Sequence, residues 1–301
     1  MEILLPAAAD CTPAEGYARC AELAKSHYEN FTVGSWLLPR EKRDHIYAVY
    51  AFCRSVDDLG DEHCGDRLAA LDAWEQDLRS CYNGKPSHPY MVALQQTIRA
   101  YDIPPDPFLK LVDANRIDQS ITRYLAFDDL EYYCRRSANP VGHLVLYVFG
   151  YRDSARQVLS DYTCTALQLT NFWQDVVRDF AKGRIYIPQE DAQRFGYSEK
   201  QLSRREITDS FRLLMEFEVA RTRELFHQGL PLIETLDGRL KLDIALYSLG
   251  GLRVLDAIER KRYDVLTSRP KLGKMAKIGL TLATSLRLGL GMRLTRAASA
   301  N

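Results

Sequence analysis

Apolar residues along this chain recur at three- and four-residue spacing over long segments, and the strict alternation of a half-buried strand is almost absent. That periodicity commits the chain to an all-α fold. Pro and Gly punctuate the periodic segments, which run over about 14–27, 41–62, 66–82, 88–101, 105–123, 128–150, 154–181, 199–229 and 239–263, with a last amphipathic stretch over 271–295. With 301 residues, 46% of them hydrophobic, the chain can bury one large core. No Ser/Gly/Pro-rich linker divides it, so the sequence reads as one helical domain over 1–270 followed by a basic amphipathic tail over 271–301.

Charge narrows the function classes. The formal net charge is zero, which does not favour nucleic acid as a partner. Beyond Asp264, however, stand Arg269, Lys271, Lys274, Lys277, Arg287, Arg293 and Arg296 with no acid among them, leaving −7 on the rest of the chain. A basic end on an acidic body suits an anionic surface, most simply a membrane. Leu272, Met275, Ile278, Leu282 and Leu286 are apolar at helical spacing there, a pattern that suits an interfacial helix and a last core helix equally. Seven cysteines, an odd number without a C-x-x-C pair, point to reduced thiols in the cytoplasm. The N-terminus has no basic n-region and its apolar run is broken by Pro6, unlike a signal peptide; no run of about 18 apolar residues could span a bilayer. The expected location is cytoplasmic, peripheral at the inner membrane face if the tail docks there.

Two rows of polar side chains carry the chemistry. In the first, Asp57 and Asp61 are four residues apart and share one helix face, about 6 Å apart along the axis, with Arg54 and Tyr50 on the same face. In the second, Asn171, Asp175 and Asp179 follow Gln168 at spacings of 3, 4 and 4, inside a segment otherwise rich in Leu, Phe, Trp and Val. Like charges at i and i+4 repel. Mg²⁺ suits such rows, because it takes one or two carboxylates and completes its shell with water and phosphate oxygens. Two facing helices about 8–10 Å apart, or wider around a ligand, could hold a diphosphate bridged by several ions. One acidic row alone would read as a solvated face; the second sits among aromatics that favour burial, and buried acids need partners. By contrast, Asp128 and Asp129 open a helix and read as capping acids, and Asp113 and Asp118 read as structural. No G-x-G-x-x-G follows a strand signal, which disfavours a Rossmann-bound nicotinamide.

From about His27 to Tyr263 the chain resembles the squalene/phytoene synthase family. Leu37-Leu38-Pro39 and Tyr47-Ala-Val-Tyr50-Ala-Phe-Cys-Arg54-x-x-Asp57-Asp58-x-x-Asp61 carry its first motif; Asn171-x-x-x-Asp175-x-x-x-Asp179 with Gly183-Arg184-Ile-Tyr186-Ile-Pro188 carries its second. The resemblance implies a single-domain isoprenoid-synthase helical bundle with a central apolar cavity, and Mg²⁺ held by Asp57, Asp61, Asn171, Asp175 and Asp179, which are also the catalytic set. It places Tyr50, Arg54, Tyr133, Gln168, Arg184 and Tyr186 along the substrate, with Tyr263 a further match; the residues themselves add Phe31, as an aromatic face, and Asn139 or Ser137, as a polar group able to hold a water, to the substrate-binding candidates. Faces of Tyr50, Tyr133, Phe31 and Trp173 are candidates to stabilise a carbocation. The family pattern departs at Glu29, where a basic residue is usual, and at Arg135-Arg136-Ser137-Ala138-Asn139-Pro140-Val141-Gly142. Both runs resemble bacterial hydroxysqualene synthases of hopanoid biosynthesis, which use presqualene diphosphate and water. The implied partner is thus a prenyl diphosphate, presqualene or farnesyl. Two other readings stay open. One is head-to-head condensation of two prenyl diphosphates; the other is a non-catalytic family member, which loss of the metal ligands would mark.

Overall fold

In the computed structural model the described residues are 11–26, 39–290 and 292. Phe31 and the Glu29 run, expected near the diphosphate, lie outside them, as do Leu37, Leu38, Arg293 and Arg296. The all-α expectation holds: the described residues contain one isolated bridge, Arg123 to Ile185, and no strand. The helices are α1 (Pro13–Ser26), α2 (Arg40–Asp61), α3 (Arg67–Asn83), α4 (Pro89–Tyr101), α5 (Asp106–Ile117), α6 (Phe127–Ser137), α7 (Asn139–Val148), α8 (Ser154–Ala181), α9 (Gln189–Arg194), α10 (Glu199–Ser203), α11 (Asp209–Gly229), α12 (Pro231–Glu234), α13 (Gly238–Arg260) and α14 (Lys274–Gly289).

Three expected helices are shorter or broken. The segment over 128–150 is two helices, because Pro140 has no N–H to continue α6 and instead sits in the first turn of α7. The segment over 199–229 divides at Arg205, whose φ of 54° is left-handed, and restarts where the Thr208 hydroxyl accepts a hydrogen bond from Phe211 N at 3.2 Å. The helix expected over 105–123 stops at Ile117. Asp129, in the first turn of α6, accepts from Ala126 N at 3.0 Å, the capping role its position suggested.

Contacts divide the chain into two compact units, Met1–Ser120 with Arg136–Gln157, and Ile121–Arg135 with Val158–Asn301. In the first unit α2 packs against α1, α3, α4, α5 and α7. Its apolar stripe, Ile46, Val49, Phe52, Val56 and Leu59, is buried at spacings of three and four, with Phe52 stacked on Trp74 and edge-on to Phe108. A polar knot ties α1 to α2 and α4: Tyr17 Oη lies 3.1 Å from His45 Nδ1 and 3.2 Å from Thr97 Oγ1. Burying this stripe on several sides fixes the rotation of α2, and so decides which of its residues face outward.

In the second unit the Trp173 indole of α8 donates to Thr222 Oγ1 of α11 at 2.8 Å, which satisfies its N–H in the core. Trp173 is wholly buried and therefore packs α8 onto α11. Residues 271–290, set apart in the sequence by their charge, contribute α14, which packs on α13. A buried triad lies beside α9. Arg221 donates to Asp191 at 2.9 Å and to Glu218 at 3.3 Å, with its guanidinium over the rings of Phe127 and Phe217. Burial, with Asp191 nearby, pushes the Glu218 carboxyl up to about 8 against the pull of Arg221. A carboxyl whose folded pKa is raised contributes stability that is complete below the unfolded value near 4.5 and is lost as pH climbs towards about 8. Glu218→Gln, which cannot ionise, should therefore gain stability relative to wild type as pH rises from 5 to 8, by up to about 1.4 kcal/mol per pH unit. Urea unfolding of both proteins across that range measures the difference; a flat difference would mean that Glu218 is ionised in the folded state throughout.

Candidate active site

The first acidic row stands on the outward side of α2, opposite its apolar stripe. Pro39, with φ at −53°, starts the helix. Asp57 is open to solvent, yet the surrounding protein desolvates its carboxyl enough to push it up to about 6. Asn115 of α5 steadies it, donating through Nδ2 to Asp57 Oδ1 at 3.3 Å and to the Leu111 carbonyl at 3.2 Å. Arg54 ion-pairs with the buried Asp58 and reaches Glu62 at 3.5 Å, which offsets charge in the acidic row and leaves the guanidinium partly exposed. Asp61 is exposed at the end of α2, and its carbonyl accepts from Arg67 at 2.9 Å. Tyr50 is half-buried one turn before Arg54, its phenol pushed up chiefly by burial.

Two residues of the Arg135–Pro140 run have clear assignments. Arg135 is exposed and pairs with Glu131, whereas Arg136 donates to Asp113 at 2.9 Å. Asn139, the first residue of α7, is buried. The Ser137 hydroxyl oxygen is also buried and has no hydrogen-bond partner among the described residues.

The second row lies on α8. Leu169, Phe172, Trp173 and Val176 are buried, while Gln168, Asp175 and Asp179 are half-exposed and Asn171 is exposed. The helix ends at Gly183, whose φ of 80° is left-handed. This reversal lets Arg184 N donate back to the Asp179 carbonyl at 2.8 Å and Ile185 N to Thr122 at 2.9 Å. The returning segment places Arg184 and Tyr186 beside Asp179 in a small recess that Phe172 and Val176 also line. Tyr186 stacks on Phe172 at 3.7 Å, and Tyr124 and Tyr133 complete a buried aromatic cluster. A larger cavity of about 450 Å³, lined by Ile185, Ile187, Tyr197 and Leu202, has the Arg123–Glu199 ion pair among its walls; none of the acidic-row residues lines it, so it carries no assignment.

Four contacts were not foreseen from the sequence. Arg269 grips Asp175 with two hydrogen bonds, Nε to Oδ1 at 2.7 Å and Nη2 to Oδ2 at 2.8 Å. Gln174 holds the same segment by donating to the Pro270 carbonyl at 2.5 Å. Asn115 on Asp57 and Tyr124 in the aromatic cluster are the others. Arg269 had counted only as part of a basic tail, since nothing in its neighbours signals a partner 94 residues away.

The squalene/phytoene synthase sequence profile matches residues 24–276. This chain belongs to the squalene/phytoene synthase family. It is 33% identical over 278 residues to the 15-cis-phytoene synthase of Synechococcus elongatus, covering 88% of this chain and 90% of that one. It is also similar to the chloroplastic phytoene synthase of Daucus carota, at 32% over 91% of this chain and 71% of the relative. Among solved structures, squalene synthase HpnC from Alicyclobacillus acidocaldarius is 48% identical, with a TM-score of 0.82 over 84% of this chain and 96% of that one. A dehydrosqualene synthase crystallised with a ligand superposes with a TM-score of 0.83 at 26% identity, over 92% of this chain and 98% of that one.

The donor set of this squalene/phytoene synthase family member fits Mg²⁺. Among the described residues no three acid, His or Cys side chains cluster tightly enough to chelate an ion alone, and Mg²⁺ needs only one or two carboxylates beside water and phosphate. Asp57 gains a reason to ionise from a nearby cation, and Asp175 already holds a guanidinium. Gly60 protects the first half: a Cβ there would lie 2.2 Å from Asn115 Oδ1 and 3.2 Å from its Cβ. Gly60→Ala should lower the urea midpoint, despite the roughly 1 kcal/mol that Ala adds to a helix, because overpacking costs about 1–3 kcal/mol. The Asp57 carboxyl, deprived of its donor, should titrate higher by NMR. A more stable variant with an unmoved Asp57 would show that α2 and α5 part easily.

Proposed function

We propose that this enzyme ionises presqualene diphosphate and lets water capture the carbocation, releasing hydroxysqualene and diphosphate without a nicotinamide. The observation that carries this reading is the buried Ser137 hydroxyl, which has no hydrogen-bond partner among the described residues and lies two residues from the buried Asn139. Such a site is suited to hold a single water in an apolar setting. The resemblance of Arg135–Gly142 to hydroxysqualene synthases supports it, and the 48% identity to squalene synthase HpnC supports a squalene-type C30 substrate. In this reading Asp57 and Asp61 on α2, and Asn171, Asp175 and Asp179 on α8, hold Mg²⁺. Bound Mg²⁺ would supply Lewis acidity to the leaving diphosphate.

The chain's own residues do the rest. Arg54 and Arg184 add guanidinium groups suited to phosphate oxygens. Gln168 and Tyr50 border the acidic rows, and the Tyr133–Phe172–Tyr186 cluster offers ring faces worth about 0.5–2 kcal/mol each to a cation. The carbon–oxygen bond to diphosphate breaks with its electron pair leaving on oxygen. The cation's three-membered ring rearranges by shift of a ring carbon–carbon bond and opens as water oxygen bonds to a tertiary ring carbon and gives up one proton. Neither oxidation nor reduction occurs, so no hydride donor is needed. Burial of the C30 tails, at about 0.8 kcal/mol per CH₂, would dominate substrate binding. Because substrate and product partition into lipid, we place the working enzyme peripherally on a membrane surface, on the cytoplasmic side, in hopanoid biosynthesis.

A second reading, head-to-head condensation of two prenyl diphosphates, is favoured by the phytoene synthase relatives. Glu29 opposes it, since a site for two diphosphates gains from a basic residue there. The non-catalytic alternative has no support in the residues, because every candidate ligand is present.

Two measurements test the proposal. Asp175→Asn and Asp57→Asn should each lower Mg²⁺-dependent turnover at least about a hundredfold while circular dichroism stays unchanged. Near-wild-type rates, or full activity in excess EDTA, would falsify the metal assignment. Presqualene diphosphate in ¹⁸O-labelled water without NADPH should yield a labelled C30 alcohol. Squalene that appears only with NADPH, or a C30 diphosphate made efficiently from farnesyl diphosphate, would move the activity to the condensing reading.

A further inference from the structure

We propose that the outer face of α14 is a docking surface for an anionic lipid bilayer. This rests on the membrane placement above and is independent of the product. At 100° per residue, Met275, Ile278, Leu282, Leu286 and Leu290 fall within about a third of the helix circumference. They are 79%, 52%, 66%, 65% and 67% exposed. The opposite side is anchored. Thr284 is buried, Leu280 comes against Gly250, and Leu288 packs on the Leu230–Ile233–Ala245 cluster. Scattered exposed leucines need no explanation, but five large apolar side chains in one row on a helix held from behind form a patch.

Charge identifies the occupant. From Val265 to Gly289 the chain carries Arg269, Lys271, Lys274, Lys277 and Arg287 and no acid. Arg269 is engaged with Asp175, while Lys271, Lys277 and Arg287 are exposed. Glu234, on the neighbouring α12, is paired with Lys241 at 3.1 Å. Arg287 falls about 60° beyond one edge of the row and Lys271 just precedes the helix, while Lys277 falls on the anchored side; an apolar row with exposed cations beside and before it is the composition of a helix lying in the interface of anionic lipid. A second copy of the chain would fit less well, since an isologous contact through this row would set the same cations against each other. No helix among the described residues is long and apolar enough to cross a membrane, and α14 has only 16 residues, so the row would enter one leaflet with the helix lying flat.

Vesicle flotation of the full chain tests this. Wild type should float with phosphatidylglycerol-containing vesicles, less with pure phosphatidylcholine, and less again at high salt. Ile278→Ser/Leu282→Ser/Leu286→Ser should reduce the bound fraction at least tenfold, and Lys271→Ala/Arg287→Ala should flatten the salt dependence. Both variants should keep wild-type turnover in detergent micelles. That micelle assay separates the chemistry from the docking: a changed product with normal flotation overturns only the activity above. The docking face is wrong if the triple variant floats like wild type, or if its sole change is from dimer to monomer on size exclusion.

Discussion

Carboxylates set in rows on helices repel one another, and this family member meets that repulsion separately on each helix. On α2 the buried Asp58 is neutralised by Arg54, and Asp57 is steadied by an amide donor while desolvation by the surrounding protein raises its affinity for a proton. On α8 the guanidinium of Arg269 takes both oxygens of Asp175. Much of the surrounding architecture serves these contacts. Gly60 clears space for Asn115, Gln174 pins the segment that carries Arg269, and the left-handed Gly183 returns Arg184 towards Asp179.

The helical class and the acidic rows were legible in the sequence because both are local patterns. The spacing of Asn171, Asp175 and Asp179 is set by 3.6 residues per turn, whatever the rest of the chain does. Pro39 and Gly183 marked their helix ends for equally local reasons, one through a fixed φ and the other through freedom at positive φ. Arg269 and Asn115 were not legible, because their roles depend on how distant segments pack. The break at Pro140 could have been read from Asn139-Pro140; the strong apolar periodicity on both sides hid it. Trp173 serves the core as well: its N–H is satisfied by Thr222, while its ring lines the recess beside Asp179.

The tail posed a choice between a core helix and an interfacial one, and α14 shows why amphipathicity alone left it open. The helix has two apolar faces: one is anchored through Leu280, Thr284 and Leu288, and the other remains exposed. A single moment along the helix averages over both faces and cannot distinguish a helix used once from one used twice.

The grip of Arg269 on Asp175 also constrains how the second row can work. A guanidinium bound through two nitrogens is an effective competitor for a carboxylate, because its fork matches the two oxygens without strain. Any cation that claims Asp175 must displace or share that contact, so part of its binding energy is spent on separating the pair. This makes binding at α8 sensitive to the Gln174–Pro270 bond, which holds Arg269 in place although it touches no carboxylate itself. The contact with Arg269 offsets charge in the acidic row, and a ligand bringing both Mg²⁺ and phosphate would compensate its loss at once, the ion supplying positive charge at Asp175 and the phosphate oxygens offering the arginine a partner of the same geometry.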